Sequence, residues 1–406
     1  MGYRRRDTQL DRRCAFCGRP RSEVRKLVAG PGVFICDRCI SVCRQLLADE
    51  RRQVTTAPKT QLPRPRELGA LLDEWVIGQE RAKRMLTVAV YNHLKRIAAR
   101  GRTGDVELTK GNILLMGPPG TGKTHLARTL ARILEVPFAL TDATPLTQAG
   151  YVGEDVESIV AKLLRAADGN AERAATGIIY LDEVDKLARR VGHDRDVSGE
   201  GVQQGLLKIL EGKKVTVRVG GDKNGLGAEL VEVDTTNILF IAGGAFDGLA
   251  RAIASRQREA SGFRPGGFDP NSHEAALQRV LPPDLHRYGF LPEFVGRFPV
   301  LVTLSSLDEE MLIQILTRPR DALVRQYQRL FAMESARLEV PRDGLKAIAQ
   351  IAMARRTGAR ALRAVLEELL LDVMFDLPSG GGGVYRLDAA AVEAGTPRRT
   401  ADRSAA

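Results

Sequence analysis

The run NILLMGPPGTGKTHLARTLARIL, from Asn112, narrows the fold more than any other part of the chain. An unbroken apolar stretch, a glycine-rich loop and a helical pattern follow one another, which is the strand–loop–helix start of an α/β domain. The loop carries G-x-x-x-x-G-K-T as Gly117, Gly122, Lys123 and Thr124. Pro118, Pro119, Gly120 and Thr121 fill it, and His125 follows, so the segment from Gly117 to His125 is a candidate nucleotide-binding set. The loop N–H groups and the helix N-terminus suit phosphates. Lys123 is expected to reach the β and γ oxygens, and Thr124 to hold Mg²⁺. A chance glycine turn would not carry the strand and the helix as well.

About sixty residues on, GIIYLDEVDK sets four apolar residues before Asp182 and Glu183. A buried strand delivering two carboxylates to its C-terminal edge fits the ligand side of an α/β sheet. There Asp182 would hold the Mg²⁺ shell and Glu183 would polarise an attacking water. A helix-capping acid pair explains the dipeptide alone but not the strand before it. Phosphoryl transfer also needs positive charge on the γ-phosphate. Arg297 (PEFVGRFPV) and Arg360 (TGARALR, at a helix start) are candidates, yet chemistry alone does not select them in an arginine-rich chain.

Four of the five cysteines fall as CAFC and CDRC: Cys14, Cys17, Cys36 and Cys39. Two such knuckles suit tetrahedral zinc, each placing two thiolates on one ion. A redox CxxC needs a βαβ context, which this short segment does not offer. Cys43 reads as a buried small residue on a following helix rather than a fifth ligand.

The net charge of +11 is uneven: residues 1–65 hold 15 Lys/Arg against 6 Asp/Glu, and the remainder is nearly neutral. A basic front module could attract nucleic acid or acidic polypeptides. Aromatics to stack bases are few there (Tyr3, Phe16, Phe34), so protein binding is the favoured reading and nucleic acid the disfavoured one. From Glu50, RRQVTTAPKTQLPRPRE has no apolar periodicity and reads as a linker. No apolar run reaches about 18 residues, so no membrane span is expected. The basic start lacks an apolar h-region, and a cytoplasmic location is the expectation.

AGYVGEDVES, residues 149–158, places Tyr151 and Val152 between two glycines. Apolar side chains on a glycine-hinged loop are costly unless they grip something.

Taken in order, these segments resemble the ClpX family of AAA+ protein unfoldases. The resemblance runs from about Cys14 to Pro378 through the cysteine module, WVIGQERAKRMLTVAVYNHLKR, GPPGTGKT, AGYVGEDVE, LDEVDK, RDVSGEGVQQGLLKILEG, ILFIAGGAF, GFLPEFVGRFPV, RQYQRLF and MARRTGARALR. It implies an α/β fold: a AAA+ P-loop large domain and a mostly helical small domain, preceded by a small zinc-binding module. The expected divisions are a zinc module (1–50), a linker (51–65), the large domain (66–305), the small domain (306–395) and a tail (396–406). By resemblance, Val76 and Ile77 are the adenine pocket, Arg297 is a finger offered to the neighbouring subunit, and Arg360 is the sensor of the γ-phosphate. Tyr151 and Val152 match the central-pore loop that grips polypeptide, and Arg195–Gln204 matches a second pore loop. ATP, Mg²⁺ and Zn²⁺ are the implied cofactors. The implied partners are unfolded or tagged protein substrates, further copies in a homo-hexamer, and a ClpP-type peptidase.

Two loops depart from that pattern. The region RVGGDKNGLGAELVEV (about 219–230) lacks the family's Arg-Lys-His triplet, which puts recognition of negatively charged tags in doubt. The peptidase-docking tripeptide should be aliphatic-Gly-Phe, but Ser261-Gly262-Phe263 and Gly266-Gly267-Phe268 lack the aliphatic residue. Burying one such side chain is worth roughly 1.5–3 kcal/mol, so docking is weakened at every subunit. Three readings therefore stand: an unfoldase feeding a peptidase, a free-standing remodeller, and a zinc-module nucleic-acid motor. After Pro378 the reading is a glycine spacer, an edge strand and a disordered end.

Overall fold

A computed structural model describes residues 13–43, 62–99, 106, 108–147, 154–189, 199–219, 229–261, 273–380 and 382–400. The chain divides into two units, Met1–Leu62 and Pro63–Ala406, each taken by itself.

In the first unit, β1 (Leu27–Gly30) and β2 (Val33–Cys36) form an antiparallel hairpin. Gly32 turns the chain with φ of +77°, where a side chain would be strained. Only Cys14 and Cys36 are buried among its described apolar residues, so this unit has almost no hydrophobic core of its own. Cys43 lies on the helical turn after β2 and is half-buried, not buried as its sequence suggests.

The second unit is built on a five-stranded parallel sheet. Its order is β4 (Phe138–Asp142), β5 (Ile178–Asp182), β8 (Leu239–Gly244), β3 (Ile113–Met116), β9 (Val300–Thr303). Edge β4 alternates buried and exposed residues. The interior strands β3, β5 and β8 are buried along almost their whole length because both of their faces are covered. The two-residue period divides β3 between them: Ile113 and Leu115 join the core under helices Glu80–Ala98 and Lys123–Leu134. Leu114 and Met116 join the opposite core, with residues of helices Ser158–Ala166 and Glu200–Leu210. The chain leaves β3, next to the β9 edge, for the opposite edge at β4 and returns through β5 and β8, which makes the carboxyl end of β3 a ligand position. A separate antiparallel hairpin, β6 (Lys214–Val219) with β7 (Glu229–Asp234), stands outside this sheet.

A third core gathers residues 312–392, among them Leu316, Phe331, Ile348, Leu366 and Leu370. Helices Glu309–Thr317, Leu323–Met333, Arg342–Ala354 and Arg360–Gly380 pack there. They are joined by a sheet of order β10 (Ala336–Glu339), β11 (Gly383–Arg386), β12 (Arg398–Thr400). This corrects the reading of the C-terminal stretch. β11 is not an edge strand: it pairs parallel with β10 on one side and antiparallel with β12 on the other. β12 lies in what sequence alone took for tail, because helix Ala389–Ala394 turns the chain back onto β11. No helix among the described residues is long and apolar enough to cross a membrane.

Candidate functional site

The loop after β3 is shaped by glycines that nothing else could replace. Gly117 (φ +155°) runs so close to the chain after β9 that a Cβ would lie 2.6 Å from the Leu304 carbonyl oxygen. Gly120 (φ +75°) touches the segment before helix Arg360–Gly380, where a Cβ would meet the Thr357 carbonyl oxygen at 2.0 Å. The Ala359 N–H donates to the Gly120 carbonyl at 3.1 Å, so the third core's chain is latched to this loop. Gly122 caps helix Lys123–Leu134 in a left-handed conformation without any side-chain acceptor. The first N–H groups of that helix therefore stay open to an anion.

Lys123 is buried and folds onto its own loop, donating to the Gly117 carbonyl at 2.6 Å and the Pro118 carbonyl at 2.9 Å. Burial pushes its ammonium down to about 8, partly opposed by the nearby Asp182 carboxylate. Thr121 donates to the Pro118 carbonyl at 2.9 Å and stiffens the loop. Thr124 donates its hydroxyl to Asp182 Oδ2 at 2.9 Å. One hydroxyl and one carboxylate thus converge at the loop's mouth, an oxygen-donor pair of the kind Mg²⁺ takes. Asp182 Oδ1 accepts from the Glu183 N–H at 3.1 Å. Glu183 itself is exposed and left-handed (φ +54°), a strained conformation for a residue with a side chain.

Two adjoining cavities flank Gly120, Gly122, His125 and Ala359. One, of about 330 Å³, is lined by Lys123, Thr124, Arg128 and Arg360. The other, of about 280 Å³, is lined by Trp75, Val76 and Ile77 on one side and by Leu307, Ile315 and Leu323 on the other. The structure thus brings Val76 and Ile77 to the Gly117–His125 loop, with His125 3.3 Å from the Trp75 carbonyl. It also brings Arg360 to Lys123, whose ammonium it disfavours electrostatically.

Arg297 is not among the residues of either cavity. It follows helix Pro292–Gly296 and forms an ion pair with Glu211, both partners half-exposed. Tyr151 and Val152 lie outside the described residues. Their flanks do not: the Thr147 N–H donates to the Glu154 carbonyl at 3.1 Å and the Glu154 N–H to the Pro145 carbonyl at 3.0 Å, so residues 145–147 lie beside Glu154. Glu154 is fixed by Lys162 at 2.6 Å. Of the stretch Arg195–Gln204, residues 195–198 are outside the description, and the rest is corrected. Residues 200–204 begin helix Glu200–Leu210, with Gln203 fully buried, bonded to Leu187 O at 2.7 Å and accepting from Leu291 N–H at 2.8 Å. That half is packed helix, not loop. Residues 220–228 and 262–268 also fall outside the described residues, while Ser261 ends helix Leu249–Ser261.

Three positions escaped sequence reasoning. Gln79, buried and left-handed, clamps the backbone after β9 through Ser305 O (2.7 Å) and Ser305 N–H (2.9 Å), tying the start of helix Glu80–Ala98 to that segment. Lys83 is buried, donates to the Val76 carbonyl at 3.2 Å and pairs with Asp73 and Glu80. Asp185, buried, accepts from the Phe246 N–H at 3.3 Å and ties the end of β5 to that of β8. The partners of Gln79 and Asp185 lie 226 and 61 residues away, beyond any local pattern, and those of Lys83, though nearer, gain meaning only from its burial.

In the first unit, one sulfur from each of Cys14, Cys17, Cys36 and Cys39 lies within 4.8 Å of the others. The Cys36 N–H points at Cys14 Sγ (3.2 Å) and the Cys39 N–H at Cys36 Sγ (3.4 Å), contacts that favour thiolates. No disulfide consumes them, and Cys43 is outside the cluster. Four converging thiols with backbone donors fit a tetrahedral zinc ion.

Comparison with known families gives three matches along the chain. Residues 12–49 match the ClpX C4-type zinc finger. Residues 108–301 match the AAA domain (Cdc48 subfamily), and residues 307–385 match the C-terminal, D2-small domain of ClpB protein. The first supports zinc at the cysteine cluster, and the second implies nucleotide binding and ATPase activity.

Proposed function

We propose, from the premise that the three matched modules together are consistent with a ClpX-like AAA+ unfoldase, that this chain couples ATP hydrolysis to the unfolding of protein substrates. One observation carries the reading: the nucleotide cleft is closed on one side by a different core. Ala359 bonds Gly120, Arg360 lines the phosphate cavity, and the opposite cavity wall is Leu307, Ile315 and Leu323. A change in the phosphates therefore acts on both cores at once, which is how hydrolysis becomes movement.

Within that cleft, Lys123 leaves its own carbonyls for the β and γ oxygens, and Arg360 adds charge to the γ-phosphate. Thr124 and Asp182 would hold Mg²⁺, which would supply neutralising positive charge to the phosphates. Glu183, exposed at the end of β5, orients the attacking water. Val76 and Ile77 receive adenine. Arg297, which lines neither cavity of its own chain, serves the cleft of a neighbouring copy in a hexameric ring. Tyr151 and Val152 grip the polypeptide in the central pore. Zn²⁺ at the four cysteines holds the front module, whose few stacking aromatics favour protein over nucleic acid.

The test is ATPase stimulation. Turnover should rise with an unfolded polypeptide and stay flat with duplex or single-stranded DNA across salt concentrations. Stimulation by DNA that weakens steeply with salt would replace the unfoldase reading with a nucleic-acid motor.

A further inference from the structure

Arg363 has no role in the account so far. It sits one turn after Arg360 on helix Arg360–Gly380, and the i, i+3 spacing sets the two on one face. Arg360 lines the phosphate cavity with Lys123, whereas Arg363 lines the adjoining cavity with Trp75, Val76 and Ile77. One helix start therefore spans both halves of the cleft. The Arg363 Nη2 donates to Gln326 Oε1 at 3.2 Å, across to helix Leu323–Met333, and Gln326 Nε2 donates to the Asp321 carbonyl. Gln326 and Asp321 line the same cavity.

An ordinary solvated helix pair would also put Arg363 near Glu367, and such a contact exists at 3.6 Å. That pair alone gives no reason for a second helix to orient the guanidinium over a cavity. With five N–H donors in a fixed fork, Arg363 keeps donors beyond those used by Gln326 and Glu367. The rest of this cavity is largely apolar: Trp75, Val76, Ile77, Leu307, Ile315 and Leu323. Its polar lining is Thr121, His125, Asp321, Gln326 and Arg363, and of these the Arg363 guanidinium is the one with a permanent positive charge to offer a base or ribose.

We propose that Arg363, oriented by Gln326, is a nucleotide-binding residue that holds the nucleoside half of the ligand, distinct from the phosphate role of Arg360. This rests on the ATPase reading above. It makes a prediction that the phosphate role does not: ATP and ADP share the nucleoside, so both must lose affinity equally.

The experiment is calorimetric titration of the full chain with ADP, and with ATP in a Glu183→Gln background that slows turnover. Arg363→Ala should weaken ATP and ADP by the same factor, about tenfold for one lost charged hydrogen bond. In steady state the KM for ATP should rise while kcat at saturation holds. Arg360→Ala should instead weaken ATP more than ADP. Gln326→Leu, which leaves the arginine but removes its support, should show the Arg363→Ala pattern at smaller size, and it carries the test if Arg363→Ala lowers the melting temperature. Unchanged affinities, or a loss confined to ATP, would overturn the proposal. Absence of nucleotide binding by the parent chain would strike the ATPase reading itself.

Discussion

Lys123 rests among the carbonyls of its own loop, and burial holds its ammonium down to about 8. Phosphates entering the cleft raise that value, since they favour the charged form. Below pH 8 the lysine is protonated in both free and bound states, and affinity is flat. Above pH 8 the free site must take up a proton to bind, so affinity falls with rising pH, by up to about tenfold per unit. Titrating ADP between pH 7 and 9.5 should show this bend, and Lys123→Ala should lose nucleotide binding altogether. Glu183→Gln should bind ATP yet hydrolyse it very slowly; near-normal turnover would remove Glu183 from its role. At this scale the Gly117–His125 loop and the acid pair were legible because phosphate chemistry fixes residue type and spacing within a short stretch. Gln79, Lys83 and Asp185 were not, because a buried amide, amine or carboxylate has meaning only beside its partner. For Gln79 that partner is 226 residues away.

Among elements, the interior parallel strands declared themselves by apolar runs with no alternation, since both faces are covered. β11 and β12 did not. A glycine-rich, polar stretch carries no such signature, and its pairing is set by helix Ala389–Ala394 turning the chain back. Gln203 misled in the opposite direction: the resemblance set it at the end of a pore loop, yet three hydrogen-bonding neighbours let it sit fully buried in a helix. The latch between the loop at Gly120 and the segment at Gly358 (φ +60°) is a close backbone contact. Gly358→Ala, with its Cβ 2.8 Å from the Gly120 carbonyl oxygen, should push the two apart and lower ADP affinity while leaving the core of residues 312–392 stable. Unaltered ADP binding would show that the latch does not shape the cleft. The cysteine module is the other separable element. With scarcely any apolar core, it should depend on its metal for folding. Metal analysis should find one zinc per chain, and Cys14→Ser should unfold the module without destroying ATP hydrolysis.

For the whole molecule, the engine and its attachments separate. Lys123, Thr124, Asp182, Arg360 and the cleft walls come together, whereas both candidate docking tripeptides lack the aliphatic anchor in sequence. A standard ClpP-type peptidase should therefore bind weakly, and Gly266→Ile should increase ATP-dependent degradation of an unfolded reporter; tight binding by the unaltered chain would contradict this. The central claim, that hydrolysis drives unfolding through a gripping loop, is tested most directly by the ATP-dependent loss of fluorescence of a stably folded, tagged reporter. The account predicts that the parent chain unfolds the reporter with ATP and that Lys123→Ala does not. Tyr151→Ala should keep substantial ATP hydrolysis while unfolding collapses. Robust hydrolysis by the parent chain with the reporter left folded, or a parallel fall of unfolding and hydrolysis in Tyr151→Ala, would contradict it.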